Sequence, residues 1–216
     1  MHFSDNQYSK LEEYATSHSS PQGELLEELV RTTWLRLPNP RMISDAFQGR
    51  ILSMISHLLR PRRILELGTF TGYSALCLAE GLSEEGSLIT IDRNEELEEL
   101  AVSFFERSRY AGKIKMMVGD AMQVVPTLEG EFDLIFLDAD KKNYVKYLDV
   151  LLPRLSRGGV LLSDNVLWSG KVVEELDPRD RDTAVIMEYN DILARHADLE
   201  TVLLPVRDGL TISRKK

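Results

Sequence analysis

From residue 61 onward, short apolar segments alternate with helix-patterned stretches, and this rhythm constrains the fold more than any other feature of the chain. The pattern predicts strands at 63–67, 87–92, 114–118, 132–138 and 158–163, with helices at 72–82, 94–110, roughly 120–127 and 141–154 between them. Successive parallel strands need crossover connections, so the chain reads as α/β, a parallel sheet with helices on both faces. A polar, charged stretch at 169–182 reads as a surface loop and 182–196 as a helix. Two further apolar segments, 199–204 and 209–214, flank the turn-forming Pro205 to Gly209 and predict a C-terminal antiparallel hairpin.

Before residue 60 the periodicity is helical: 4–18 capped by Ser4 or Asp5, 22–36 opened by Ser20 and Pro21, and 44–59 capped by Ser44 or Asp45. In the last of these, Ile51, Leu52, Ile55, Leu58 and Leu59 recur at helical spacing, and Pro61 ends the run. The 216 residues suit one domain, a helical cap over 1–60 on an α/β core over 61–216.

The most telling segment is RILELGTFTGYS, Arg63 to Ser74. A buried strand, a glycine turn and a helix present backbone N–H groups and a helix N-terminus to a ligand. The spacing is G-x-x-x-G, not the G-x-G-x-x-G of dinucleotide enzymes. Glu66, near the strand end, suits a cationic or hydroxyl-bearing ligand better than a pyrophosphate. Asp92 ends the next strand 24 residues after Gly68, near the ~20-residue spacing at which an acid reaches a ribose. Together these point to an adenosine-type ligand without phosphates, with S-adenosylmethionine the first candidate.

The fourth and fifth strands turn abruptly polar at their ends, at Asp138 and Asp140 followed by Lys141, and at Asp164 and Asn165. Adjacent parallel strands bring these ends to one mouth. Two carboxylates and an amide, with no His or Cys, suit a hard cation such as Mg²⁺, or Mn²⁺ or Ca²⁺. The competing explanation is helix capping, which accounts for Asp138 or Asp140 singly but poorly for the paired Asp164 and Asn165. Lys141, three residues after Asp138, reads either as a general base beside the cation or as a solvated lysine like Lys142.

Other features narrow the class. A net charge of −9 disfavours a protein held to nucleic acid by charge alone, although Arg60, Arg62, Arg63 and Arg214 to Lys216 offer basic footholds. Cys77 is the single cysteine, so no internal disulfide is possible, and its place between leucines reads as core. No signal-peptide core and no apolar run of membrane-spanning length stands out, so a cytoplasmic location is expected. His2, His18, His57 and His196 share no motif and read as structural or surface residues. Trp168 is read either as an aromatic pocket wall or as an anchor for the loop after it.

In order, the segments ELGTFTGYS, ITID, GDA, FLDADK, SDNVLWSGKV and LPVRDGLTIS resemble those of the cation-dependent O-methyltransferases, the group that includes catechol and caffeoyl-CoA O-methyltransferases. The likeness runs from about Met42 to the C-terminus. It implies the Rossmann-like seven-stranded methyltransferase sheet, six strands parallel and one antiparallel. It further implies cofactor contacts at Ser44, Glu66, Gly68, Thr69, Ser74, Asp92, Asp120, Ala121, Asp138 and Asp140. Asp138, Asp164 and Asn165 would be metal ligands and Lys141 the base, with Met42, Trp168 and Ser169 on the substrate side. A glutamate that catechol enzymes place near the substrate is replaced by Val202, which argues against catechol itself.

The resemblance therefore implies methyl transfer from S-adenosylmethionine to one hydroxyl of a metal-chelated vicinal diol on a small phenolic molecule, in a homodimer. A related alternative is methylation of a hydroxylated uridine in tRNA. A non-catalytic cofactor-binding scaffold is disfavoured by the complete set of acids with Lys141, and a nicotinamide dehydrogenase by the missing third glycine.

Overall fold

The computed structural model describes residues 5–216, with side chains from Lys10 onward; the proposed caps Ser4 and Asp5, and His2, lie outside that description. The seven strands are β1 (Arg63–Leu67), β2 (Ser87–Asp92), β3 (Ile114–Val118), β4 (Phe132–Leu137), β5 (Leu155–Asp164), β6 (Leu199–Leu204) and β7 (Leu210–Lys215). They form one sheet in the order β3-β2-β1-β4-β5-β7-β6. β1 to β5 pair in parallel, whereas β7 runs antiparallel to both β5 and β6. The predicted hairpin is therefore present, and its second strand slots inside its first.

Alternation along each strand divides two cores. On one face Ile64, Leu88, Leu134, Phe136 and Leu162 pack against α2 (Glu24–Arg36), α3 (Ala46–Leu59), α4 (Tyr73–Ala79) and α5 (Glu98–Arg107). On the other, Leu65, Leu67, Ile135, Leu137 and Leu161 meet α6 (Ala121–Val124), α7 (Tyr144–Leu151) and α8 (Arg181–Arg195). The central strands β1 and β4, covered on both faces, bury nearly all their side chains, which is why they read as apolar runs. α1 (Asp5–Ser17) precedes these elements. No helix among the described residues is long and apolar enough to cross a membrane.

Several boundaries differ from the sequence expectation for identifiable reasons. α2 is not opened by Ser20 and Pro21; it begins after Gly23, at φ +87 and without a side-chain cap. α3 is capped by Asp45, whose side chain accepts from the Gln48 N–H at 2.8 Å. β5 starts at Leu155 rather than 158, because Leu155 pairs with Phe132 while Val160 pairs with Leu134. The extra residues bulge out around Gly158, at φ +79. The 169–182 stretch is not wholly irregular, since Trp168–Val173 forms tight helical turns kinked at Ser169 and Gly170.

Candidate functional site

The carboxyl ends of β1 to β5 open onto a cavity of about 930 Å³, lined by Gly68, Asp92, Gly119, Asp138 and Asp164 and roofed by Met42, Ser44 and Gln48 from the N-terminal region. That size is at the upper end for small-molecule sites, enough for a nucleoside-sized ligand beside a second small molecule. Backbone strain collects here. Phe70, Asn165, Trp168 and Arg207, all in the cavity wall, hold left-handed φ values of 46, 57, 50 and 51°. Residues carrying a β-carbon adopt that region only when their surroundings impose it.

The glycine turn is fixed from beneath. Gly68 has φ +102, and a β-carbon there would lie 2.0 Å from the Asp138 carbonyl oxygen, so β1 and β4 approach too closely for any other residue. Asp92 accepts the Phe70 N–H at 2.8 Å on one oxygen and the Asn94 N–H at 3.0 Å on the other. The carboxylate proposed for a ribose thus also shapes the turn, and it belongs to the cavity wall.

Glu66 is completely buried on β1, and Thr90, its register partner on β2, donates to Oε2 at 2.5 Å. Oε1 has no partner. Burial pushes the Glu66 pKa up to about 8; the Ser74 and Thr90 hydroxyls counter this, and the charges of Asp138 and Asp92 add to it. An orphaned carboxylate oxygen beside the glycine turn suits a cationic or hydroxyl-bearing ligand. Thr69 is turned away: it is buried, and its hydroxyl pairs with that of Thr90 at 2.6 Å, behind the cavity wall.

Asp120, which the resemblance places at the cofactor, caps a helix. It accepts the Met122 N–H at 2.9 Å at the start of α6 and pairs with Arg93 at 3.0 Å, and it does not line the cavity, whereas Ala121 does. Asp138 and Asp164 cap nothing. Lys141 Nζ donates to Asp138 Oδ1 at 2.8 Å and to the Tyr144 hydroxyl at 2.7 Å. Tyr144 in turn points its O–H at the carbonyls of Leu137 and Asp164, at 3.1 and 3.0 Å. Burial first, then the charges of Asp138 and Asp164, keep this phenol far above its ordinary pKa, so it remains neutral and holds the lysine by accepting. Lys141 is thus a nearly enclosed side chain, about 10% exposed, not a solvated one.

Asp164 accepts from Gln48 Nε2 at 2.6 Å and from the Asn165 N–H at 2.8 Å. Burial, reinforced by the facing Asp138, raises its pKa, while Gln48 and Lys141 counter the shift. Asp140 accepts from Tyr147 and Asn143, both at 2.6 Å. Among the described residues no three His, Cys, Asp or Glu side chains group to hold a metal. An ion here would be held by two carboxylates and an amide.

Several expectations do not converge on the cavity. Ser169 lies outside the wall; its N–H is tied to Asp208, whereas Trp168 is part of the wall. Val202, half-exposed on β6, is also outside it. The described histidines stand apart from the cavity, and Cys77 is buried with its thiol pushed up to about 12, chiefly by desolvation. Sequence reasoning missed Gln48, Tyr144 and Arg207. A polar residue on the inner face of α3, and an arginine where a tight turn favours glycine, were the available signals.

Fold and cavity define an α/β protein that places a glycine turn, an acid at the end of β2 and a lysine–carboxylate cluster together at the carboxyl ends of its parallel strands. An O-methyltransferase family model matches residues 16–216. The caffeoyl-CoA O-methyltransferase 1 of Arabidopsis thaliana is 34% identical, over 98% of this chain and 85% of its own length. An SAH-bound methyltransferase from Podospora anserina superposes with a TM-score of 0.90 at 28% identity, covering 100% of this chain and 98% of its own. The O-methyltransferase TomG of Streptomyces achromogenes, solved in complex with SAM, gives 0.88 at 28% identity over 100% of both chains. The chain belongs to the O-methyltransferase family and is a SAM-dependent O-methyltransferase of the caffeoyl-CoA type.

Proposed function

We propose that this enzyme methylates one hydroxyl of a vicinal-diol phenolic small molecule with the help of a divalent cation. The observation that carries the reading is the Lys141 side-chain nitrogen held between Asp138 Oδ1 and the Tyr144 hydroxyl, in the same cavity wall as Asp164 and Asn165. Asp138, Asp164 and Asn165 would hold the cation. The fit rests on their chemistry: hard oxygen donors, with the Asp138 charge facing a buried Asp164 carboxylate. When bound, the cation would supply the positive charge that makes a chelated hydroxyl more acidic.

The residues themselves divide the work. Asp92, Ala121 and the Gly68 turn line the part of the cavity suited to the nucleoside, and the buried Glu66 offers its free oxygen to the amino acid end. S-adenosylmethionine would supply the electrophilic methyl group. As the neutral amine, whose two N–H groups suffice for the bonds to Asp138 and Tyr144, Lys141 would take the acceptor's hydroxyl proton on its lone pair and become the ammonium; it is the one amine within the acidic cluster, and Tyr144 stays neutral beside it. Trp168 and Met42 line the mouth, where a flat aromatic acceptor would lie. Fixing both reactants in one closed space contributes most, up to ~7–11 kcal/mol in ideal cases.

The tRNA reading gains nothing from the comparisons, and the basic footholds are poorly placed for it. Arg63 at the start of β1 and Lys215 at the end of β7 lie at the opposite sheet edge. There they bond the carbonyls of Glu129, Glu131, Leu152 and Leu155. The deciding experiment is incubation with S-adenosylmethionine and a panel of vicinal diphenols, with Mg²⁺ or with EDTA. Methylated product that EDTA abolishes supports the reading; methylation unaffected by EDTA removes the cation, and no diphenol turnover removes the acceptor class.

A further inference from the structure

Arg207 sits in the turn between β6 and β7, at φ 51°, a conformation that favours glycine. Its guanidinium reaches back across the cavity mouth to the first turn of α3. Nε pairs with Asp45 Oδ2 at 2.9 Å, and a second nitrogen donates to Gln48 Oε1. The same Asp45 caps α3 by accepting the Gln48 N–H at 2.8 Å. The Gln48 amide then has only one sensible orientation. Its oxygen faces a guanidinium and its nitrogen faces a carboxylate, so Nε2 donates to Asp164 Oδ2 at 2.6 Å. Gln48 is buried, 4% exposed, and Asp164 is nearly so, which leaves the amide few alternative partners.

We propose that Arg207 and Gln48 form a positioning relay for the Asp164 carboxylate. Arg207 fixes the Gln48 amide, and Gln48 fixes the direction in which Asp164 presents its other oxygen to the cation. This rests on the cation site proposed above. Such outer partners orient metal-binding carboxylates and tune affinity without touching the ion. The backbone supports a role of this kind. A residue with a β-carbon persists in the left-handed region when surrounding contacts over-determine it, and Arg207 is held by its two bonds to Asp45 and Gln48 at the start of α3. The relay also ties the N-terminal cap to the C-terminal hairpin, so the cation site is complete only when both are docked.

The test is Mn²⁺ binding, followed by the electron spin resonance of free Mn²⁺, to SAH-loaded wild type, Arg207→Gly, Gln48→Met and the double variant. Melting temperature is recorded alongside. Gln48→Met is expected to weaken Mn²⁺ binding about tenfold or more, and Arg207→Gly by a smaller factor. The double variant should bind no more weakly than Gln48→Met alone, because Arg207 acts through Gln48. Arg207→Gly should lose affinity with little loss of melting temperature, because glycine suits the turn. With excess Mn²⁺ its kcat should recover, which a general structural defect would not allow. Binding by Arg207→Gly equal to wild type, or single effects that multiply in the double variant, would overturn the relay alone. Wild type that binds no Mn²⁺ would overturn the cation site and the relay together.

Discussion

Thr90 donates its hydroxyl to one oxygen of Glu66 at 2.5 Å, across the register pair that joins β1 and β2, and leaves the other oxygen bare. A buried carboxylate satisfied on one side only is a destabilising feature of the empty protein and an opportunity for a ligand. Glu66→Gln keeps the shape and removes the charge. Its binding of S-adenosylmethionine should weaken markedly in calorimetry, and a variant that binds as tightly as wild type would remove Glu66 from the cofactor site.

The same residue predicts a pH dependence of stability. The Glu66 pKa is raised to about 8 in the folded protein, above its ordinary 4.5, so the folded state holds the proton more tightly. The contribution of protonated Glu66 is complete below about pH 4.5 and is lost progressively up to about pH 8, by roughly 4–5 kcal/mol at most. Thermal melts of the ligand-free protein should show wild type losing stability over this window relative to Glu66→Gln. Parallel curves for the two proteins would show that Glu66 ionises freely in the fold.

Asn165 has a left-handed backbone, φ 57°, so alanine there would add strain while removing the amide. Asn165→Gly separates the two effects. Metal-dependent turnover is expected to vanish while calorimetric binding of S-adenosylmethionine persists. Turnover at the wild-type rate would rule out Asn165 as a ligand.

Lys141→Met should lower kcat by about 10²–10⁴-fold, the usual range for a positioned acid or base, with a smaller change in KM. A kcat that stays level between pH 7 and 9 and matches wild type would show that another group, or water, takes the proton. Circular dichroism should remain native, because Tyr144 keeps its bonds to the Leu137 and Asp164 carbonyls.

Gly68→Ala should fail to accumulate as folded protein, or melt with a loss above about 4 kcal/mol, the range reserved for severe defects. The added carbon would meet the Asp138 carbonyl oxygen, which β4 cannot move without breaking the Asp138 N–H bond to Leu67 O at 2.9 Å. Native-like melting would mean that the turn has more room than its backbone indicates.

The sheet was legible because doubly covered parallel strands must be apolar throughout, and Gly68, Asp92, Asp138 and Asp164 stood out as the residues that ended such runs. Thr69 and Asp120 were less legible. The same residue types that touch ligands also pair with neighbours or cap helices, and only three-dimensional placement tells which bond is made. Arg207 and Gln48, 159 positions apart, gave no joint signal at all, because nothing local to either residue requires the other. The bulge in β5 was hidden for a related reason: Gly158 and Gly159 mark a possible irregularity, but its register is set by β4.

β7 lies between β5 and β6 although it follows both along the chain. A ribosome delivers residues in order, so the outer edge of β5 stays unpaired until residues 210–215 emerge. Until then the nascent chain carries an open edge, the arrangement most prone to pairing with a neighbouring polypeptide. Arg207 arrives just ahead of that closing strand. Newly made molecules therefore cover the long β5 edge and gain their finished catalytic mouth in a single late event, and a chain stalled before it would be both inactive and vulnerable to aggregation through β5.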